Sequence, residues 1–293
     1  MRRRVQTLVA SLFVASLVCV DAMGQQARTY PPFTSVTRST EYDSQGEVVG
    51  TWTSTRYESS NGDWRSVSKV GDYEQATLYR RGRGVYRSNS RTTRIIKQID
   101  HAPGCPLRTA EQLRRDPKFD HTEEVLGFTA YVWVDRTVKD LVMEHYWVPE
   151  LGGGSPFKQV TTTNSGQKFV SEPISITLGE PAATDISGPD YFVIEQVPVF
   201  FRNIDEHLLS KPEADYPADA LARGVSGVVR VQVTVDETGR VIMAGLLTAG
   251  RQPQSLREAA VEAAYKATFK PILVDGRPVV ASGTIDYQFV LPK

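Results

Sequence analysis

The residues able to do chemistry in this chain are few. Four histidines (His101, His121, His145, His207) and two cysteines (Cys19, Cys105) are its imidazoles and thiols. No two histidines stand four apart, and neither His-Glu-x-x-His nor Cys-x-x-Cys occurs, so zinc lacks its usual spacings. Gly-x-Ser-x-Gly, the strained turn that presents a nucleophilic serine, is missing too. Gly152-Gly153-Gly154-Ser155 has the composition of a phosphate loop without its Lys-Ser/Thr ending, and reads as a turn. Glu123-Glu124 is a pair of the kind found on solvated faces. His145 alternates with Met143 and Trp147, the setting of a packed histidine. The expectation is a protein that is not an enzyme and needs no cofactor or metal.

Composition narrows the classes further. The 293 residues include 34 basic and 34 acidic side chains, with 40% hydrophobic and 9% aromatic content. A balanced charge removes nucleic acid as a partner, because a surface that binds phosphates needs an excess of Lys and Arg. Intrinsic disorder goes with low hydrophobicity and high net charge, and neither is present. The length suits two domains.

Arg2, Arg3 and Arg4 precede an apolar run from Leu8 to Val20, and Ala22-Met23-Gly24 follows with small residues at the exit. This is the grammar of a secretory signal peptide over residues 1–24. The run is shorter than the roughly 20 apolar residues a spanning helix wants, although an uncleaved anchor is the alternative. Export would leave Cys105 alone, in a Pro-Gly-Cys-Pro turn, with no internal disulfide to make.

Residues 28–195 alternate in short runs broken by Gly, Asn, Asp and Pro. Val48–Tyr57, Trp64–Val70, Glu74–Arg80, Val85–Ser90 and Thr93–Asp100 predict a β-meander. A helix is predicted over Leu107–Arg115, then strands at Phe128–Asp135, Val138–Val148, Phe157–Thr163 and Lys168–Leu178. Many antiparallel strands with one helix predict a strongly curved sheet or half-barrel whose concave face is covered by that helix or by a ligand. All four tryptophans lie here. Core packing is their expected role; the alternative is a ligand cavity lined by Trp133, Leu141, Met143 and Trp147.

Residues 196–210 read as a short connector. Beyond them Pro217–Arg223 predicts helical turns closed by Gly224. Val229, Val231, Val233 and Val235 alternate with polar residues as a half-buried strand. Asp236-Glu237-Thr238-Gly239 turns the chain and Val241–Leu247 returns. A helix opens at Ser255, whose spacing to Glu258 predicts a capping box, and ends at Pro271. Leu256, Ala260, Ala263, Ala264 and Ala267 are its inward face. In the last strand Ile285, Tyr287, Phe289 and Leu291 point inward. The fold class is α+β: a β-rich curved sheet or half-barrel with one helix in the first half, and a small module of helix, β-hairpin, helix and strand in the second.

The stretch 211–293 resembles the C-terminal domain of TonB-type proteins. The resemblance rests on Tyr216-Pro217, Ala220 and Gly224, Gly227-Val228-Val229-Arg230-Val231, Val235-Asp236, Gly239-Arg240-Val241, the Ala-rich helix, Phe269-Lys270-Pro271 and the closing strand. It implies a periplasmic module of a Gram-negative-type envelope. The module would hold a short segment of an outer-membrane receptor, or another envelope protein, by adding it to an edge strand. The strand Val279–Val290 matches that edge, and Ser282, Thr284, Asp286 and Gln288 are the residues a partner would sample. A full transducer of this type has a membrane anchor and a long Pro-rich stalk; this chain has neither stalk nor clear anchor, so direct force transmission is in doubt. More weakly, Gly127–Asp135, Tyr146-Trp147-Val148-Pro149 and Gly179-Glu180-Pro181 look like LolA-type lipoprotein-carrier half-barrels, which hold acyl chains. The expected function is envelope transport or assembly. A lipid or lipoprotein carrier and an anchored energy transducer are the alternatives.

Overall fold

The computed structural model describes residues 30–70, 73–99, 108–152, 155–189, 192–246 and 252–291. The export segment, both cysteines and His101 lie outside them. The described residues gather into two units, one drawn from 17–90 and 98–192 and the other from 91–97 and 193–293.

The chain runs β1 (Phe33–Tyr42), β2 (Val48–Glu58), β3 (Trp64–Val70), β4 (Tyr73–Arg80), β5 (Gly84–Asn89), β6 (Arg94–Ile99) and α1 (Ala110–Arg115). It continues through β7 (Phe119–Val125), β8 (Phe128–Asp135), β9 (Leu141–Trp147), β10 (Lys158–Thr163), β11 (Lys168–Leu178) and α2 (Ala183–Ser187). In the first unit ten of these strands lie in the order β5-β4-β3-β2-β1-β11-β10-β9-β8-β7, all antiparallel, in a curved sheet that does not close. The ladder between β1 and β11 joins the start of the unit to its end, Phe33 opposite Leu178 and Tyr42 opposite Lys168.

Alternation along β8 and β9 separates two apolar layers. Ala130, Val132, Tyr146, Val148 and Val160 pack on one face. Tyr131, Trp133 and Trp147 pack on the other, beneath Leu113 of α1. Thr109 fixes where α1 starts. Its hydroxyl accepts the Gln112 N–H at 3.2 Å, and the Gln112 side-chain oxygen accepts the Thr109 N–H at 2.8 Å. The indole N–H of Trp133 then donates to Leu113 O at 3.1 Å, tying strand to helix. Helical structure in the described residues starts at Ala110, later than the predicted Leu107. The predicted strand Val138–Val148 begins only at Leu141, because Asp140 takes a φ of 68° and Leu141 N closes a turn on Val138 O. β1 and β7 are strands the alternation did not reveal.

The chain continues with β12 (Phe192–Ile194), at whose start the second unit begins, then β13 (Val199–Phe200), β14 (Leu208–Ser210), α3 (Ala218–Ala222), β15 (Gly227–Val235) and β16 (Val241–Leu246). After them come α4 (Gln254–Tyr265), β17 (Thr268–Phe269), β18 (Leu273–Val274), β19 (Arg277–Pro278) and β20 (Ala281–Phe289). The main sheet of this unit has the order β13-β20-β15-β16. The inward faces of β15 and β20 meet Leu256, Ala260, Ala263 and Ala264 of α4, small residues that let the helix lie close on the sheet. Ile96 and Ile194 form a smaller cluster with Met243 and Val280.

The predicted capping box at Ser255 does not form. Pro253 is the N-cap in place of Ser255, so the helix starts two residues early; Ser255 is carried past the capping position and donates to Asp219 Oδ2 at 2.8 Å instead. The helix also stops before Pro271. After Lys266 the chain leaves to make β17, which pairs with β14. Part of the stretch read as a connector is therefore built into this unit, with Ile204 fully buried in its core.

Tyr287 is 2% exposed and its hydroxyl has no hydrogen-bond partner among the described residues. Burial pushes its pKa up to about 12. Removing an unsatisfied buried hydroxyl relieves a desolvation cost, so Tyr287→Phe is expected to raise stability by about 1 kcal/mol. A higher urea midpoint at unchanged slope is the expected result; a lower midpoint would mean that the hydroxyl is satisfied.

Candidate strand-pairing site

β15 holds β20 along its whole length, from Gly227 opposite Phe289 to Val235 opposite Ala281. On the other side β13 runs parallel to β20 for two residues only, Val199 beside Ala281 and Phe200 beside Ser282. Val199 N donates to Val280 O at 3.0 Å and Phe201 N donates to Ser282 O at 2.8 Å. Main-chain groups of alternate strand residues point to the same edge. The N–H and C=O groups of Thr284, Asp286 and Gln288 therefore face the side away from β15. Beyond Ser282, no backbone group of the described residues meets them there. What does reach this edge is Lys211, whose Nζ donates to Asp286 O at 2.8 Å.

The four residues expected to meet a partner are thus placed differently. Ser282 is buried and its carbonyl is taken by Phe201. Thr284 is half-buried, while Asp286 and Gln288 are exposed. Asp286 is also locked across the ladder to Arg230, Nε to Oδ1 and Nη2 to Oδ2 at 2.7 Å each. Those hydrogen bonds hold its carboxyl below the ordinary carboxylate range. Its side chain is committed to the sheet, and what it offers a partner is its main chain.

The residues of the sequence motif frame this strand rather than touch a partner. Tyr216 stacks edge-on to Phe289 with centroids 5.5 Å apart, and its hydroxyl donates to Val225 O. Pro217 is the N-cap of α3, and Gly227 opens β15 opposite Phe289. Gly239 has a φ of 88°, and a β-carbon there would fall 2.0 Å from Phe269 O. Only glycine lets the β15–β16 turn lie against β17, where Phe269 N donates to Gly239 O at 2.9 Å.

The other candidate set lies in the first unit. Trp133 and Trp147 have ring centroids 5.3 Å apart, and register places Met143 and Leu141 on the same face. All four are buried, at 3–8% exposure. Sequence reasoning missed Arg108, whose guanidinium lies 4.2 Å from the Trp133 centroid and 4.8 Å from that of Trp147. Cation–π stacking joins elements distant in sequence and leaves no spacing signal. Burial lowers the pKa of both Arg108 and the neighbouring His145. No group of three or more metal-ligating side chains occurs among the described residues, and none of their helices is long and apolar enough to cross a membrane.

Near this cluster Lys118 Nζ donates to Asp135 Oδ2 at 2.5 Å, and the N–H and hydroxyl of Thr137 donate to Asp135 Oδ1. Burial alone would raise the Asp135 pKa, but these bonds outweigh it and bring the pKa down to about 2. A folded-state pKa below the unfolded value of about 3.9 stabilises the protein above about pH 4, and that contribution is lost as pH falls toward about 2. Asp135→Asn is accordingly expected to lower the melting temperature at about pH 6 and to converge with the parent near pH 2. A gap independent of pH would contradict the ion pair.

Comparison with known proteins bears on both units. A search of curated proteins finds no match. The solution structure of the Pseudomonas aeruginosa TonB C-terminal domain is 28% identical over 29% of this chain and 86% of that one, with a TM-score of 0.24. The Pseudomonas aeruginosa MucA/MucB complex is 18% identical, covering 71% of each chain, with a TM-score of 0.37. A LolA superfamily protein from Nitrosomonas europaea is 11% identical over 54% of this chain and 90% of that one, with a TM-score of 0.29. At such overlaps the structural likenesses say nothing of function. The sequence of residues 212–291, with its Tyr-Pro start, its glycine turn and its closing strand, matches the family described as the Gram-negative bacterial TonB protein C-terminal.

Proposed function

We propose that the protein is a non-enzymatic component of the Gram-negative periplasm whose C-terminal unit captures an extended segment of an outer-membrane receptor or another envelope protein, in TonB-type transport or envelope assembly. Capture adds the segment as a strand beside Thr284–Gln288. Main-chain bonds supply affinity, and side chains at alternate positions supply selectivity. The observation that carries this is the outward main chain of Thr284, Asp286 and Gln288 on a strand that β15 and the core hold rigid. Such an edge costs little ordering on the protein's side when a partner arrives. β13 stops at Phe200, so it leaves the second half of β20 available.

Amide hydrogen exchange tests the premise residue by residue. Ile285, Tyr287 and Phe289 should exchange slowly, because their N–H groups face β15, and Thr284, Asp286 and Gln288 should exchange fast. Equal protection of the two sets would mean that the edge is already covered.

A further inference from the structure

Granted the strand-pairing function proposed above, on which this step rests, Lys211 bears on the chemistry of the segment that pairs. Lys211 is exposed, and its ammonium meets two neutral groups, Asp286 O at 2.8 Å and the face of Tyr287, 5.2 Å from the centroid. It makes no ion pair with any described carboxylate. The carboxyl of Asp286, which feels the lysine's charge, already has both oxygens on Arg230. A strand added beside Thr284–Gln288 must give Asp286 O a main-chain N–H, which is the position Lys211 Nζ now holds. Pairing therefore turns the lysine off the edge and leaves a positive charge at the rim of the new strand without a partner. A lysine on an open edge also discourages indiscriminate strand addition.

We propose that the segment captured by β20 carries an acidic side chain, and that Lys211 selects it by pairing with that carboxylate once displaced from Asp286 O. The four-carbon stem lets the ammonium move while its base stays in place. Attraction comes with a penalty against the wrong partner, since a basic side chain at the same position meets Lys211 directly.

The test uses the full chain and three probe peptides that differ at one residue: acetyl-Thr-Val-Glu-Val-Thr-Val amide and its Gln and Lys counterparts, titrated calorimetrically at low salt. An exposed ion pair is worth up to about 1 kcal/mol, so the Glu peptide should bind about three- to fivefold tighter than the Gln peptide, with the Lys peptide weakest. The order should compress in high salt. Lys211→Met should level the three affinities, and Lys211→Glu should favour the Lys peptide. Binding without a charge order, or an order that survives in Lys211→Met, overturns the proposal. Equal tightening of all three peptides in Lys211→Met would make the lysine a plug and not a selector, which also overturns it. If no peptide of any charge binds the parent protein, the strand-pairing function fails and acidic selection falls with it.

Discussion

Gly239→Ala is expected to destabilise the C-terminal unit severely, although it adds a single carbon. That carbon would lie 2.0 Å from Phe269 O and 2.8 Å from Phe269 C, both backbone atoms that no rotamer change can move aside. The φ of 88° adds strain for any residue with a side chain. Relief requires parting the turn from β17, which would break the bond from Phe269 N to Gly239 O and loosen Phe269, itself 1% exposed in the core. Destabilisation of about 4 kcal/mol or more is expected, a large share of the total for a domain of this size. Gly276→Ala is the control: its φ is 75° but nothing lies within 4 Å, so only the backbone strain of about 1 kcal/mol applies. Thermal melts should separate the two variants, and limited proteolysis should show new cleavage within residues 212–291 of Gly239→Ala. Tryptophan fluorescence should change little, because Trp52, Trp64, Trp133 and Trp147 all belong to the other unit. Equal melting of the two alanine variants would contradict the close approach of turn and strand.

The second large effect is on binding. Thr284→Pro removes a donor that points away from β15, so it deletes no ladder bond, and proline is tolerated where a strand N–H faces outward. Stability should therefore hold within about 1 kcal/mol. A peptide strand, however, loses one main-chain bond and meets the ring of the proline, and a fall in affinity of at least about tenfold follows. Val229→Pro in the facing strand is the contrasting variant, expected to lose the fold because that residue lies in the ladder with β20, opposite Tyr287. Unchanged peptide affinity in a folded Thr284→Pro would place binding elsewhere.

How much of this was legible in the sequence depends on where each force acts. Val229, Val231, Val233 and Val235 announce β15 because one face is apolar and the other polar, and Ile285, Tyr287 and Phe289 announce β20 for the same reason. The inward face of α4 could be read from the spacing of Leu256, Ala260, Ala263 and Ala264, which are buried as expected, whereas Ala267 falls just past the helix end. β1 could not, since Phe33–Tyr42 is mostly Ser, Thr and charged residues and its alternation carries little contrast. Thr109-x-x-Gln112 carries a capping signature that forms, whereas Ser255-x-x-Glu258 misled because Pro253 starts that helix earlier. Arg108 on two tryptophans and Lys211 on Asp286 O join residues far apart in the chain, so no local pattern pointed to either. The edge itself needed the register: only the bonds from Val199 and Phe201 show which side of β20 is covered and where that cover ends.

Amide hydrogen exchange of β20, measured with and without the acidic probe peptide, tests the central claim most directly. Added peptide should slow exchange at Thr284, Asp286 and Gln288 and leave Ile285, Tyr287 and Phe289 as they were. Peptide binding that protects β16 or the first unit, with those three amides unchanged, would contradict capture at the β20 edge.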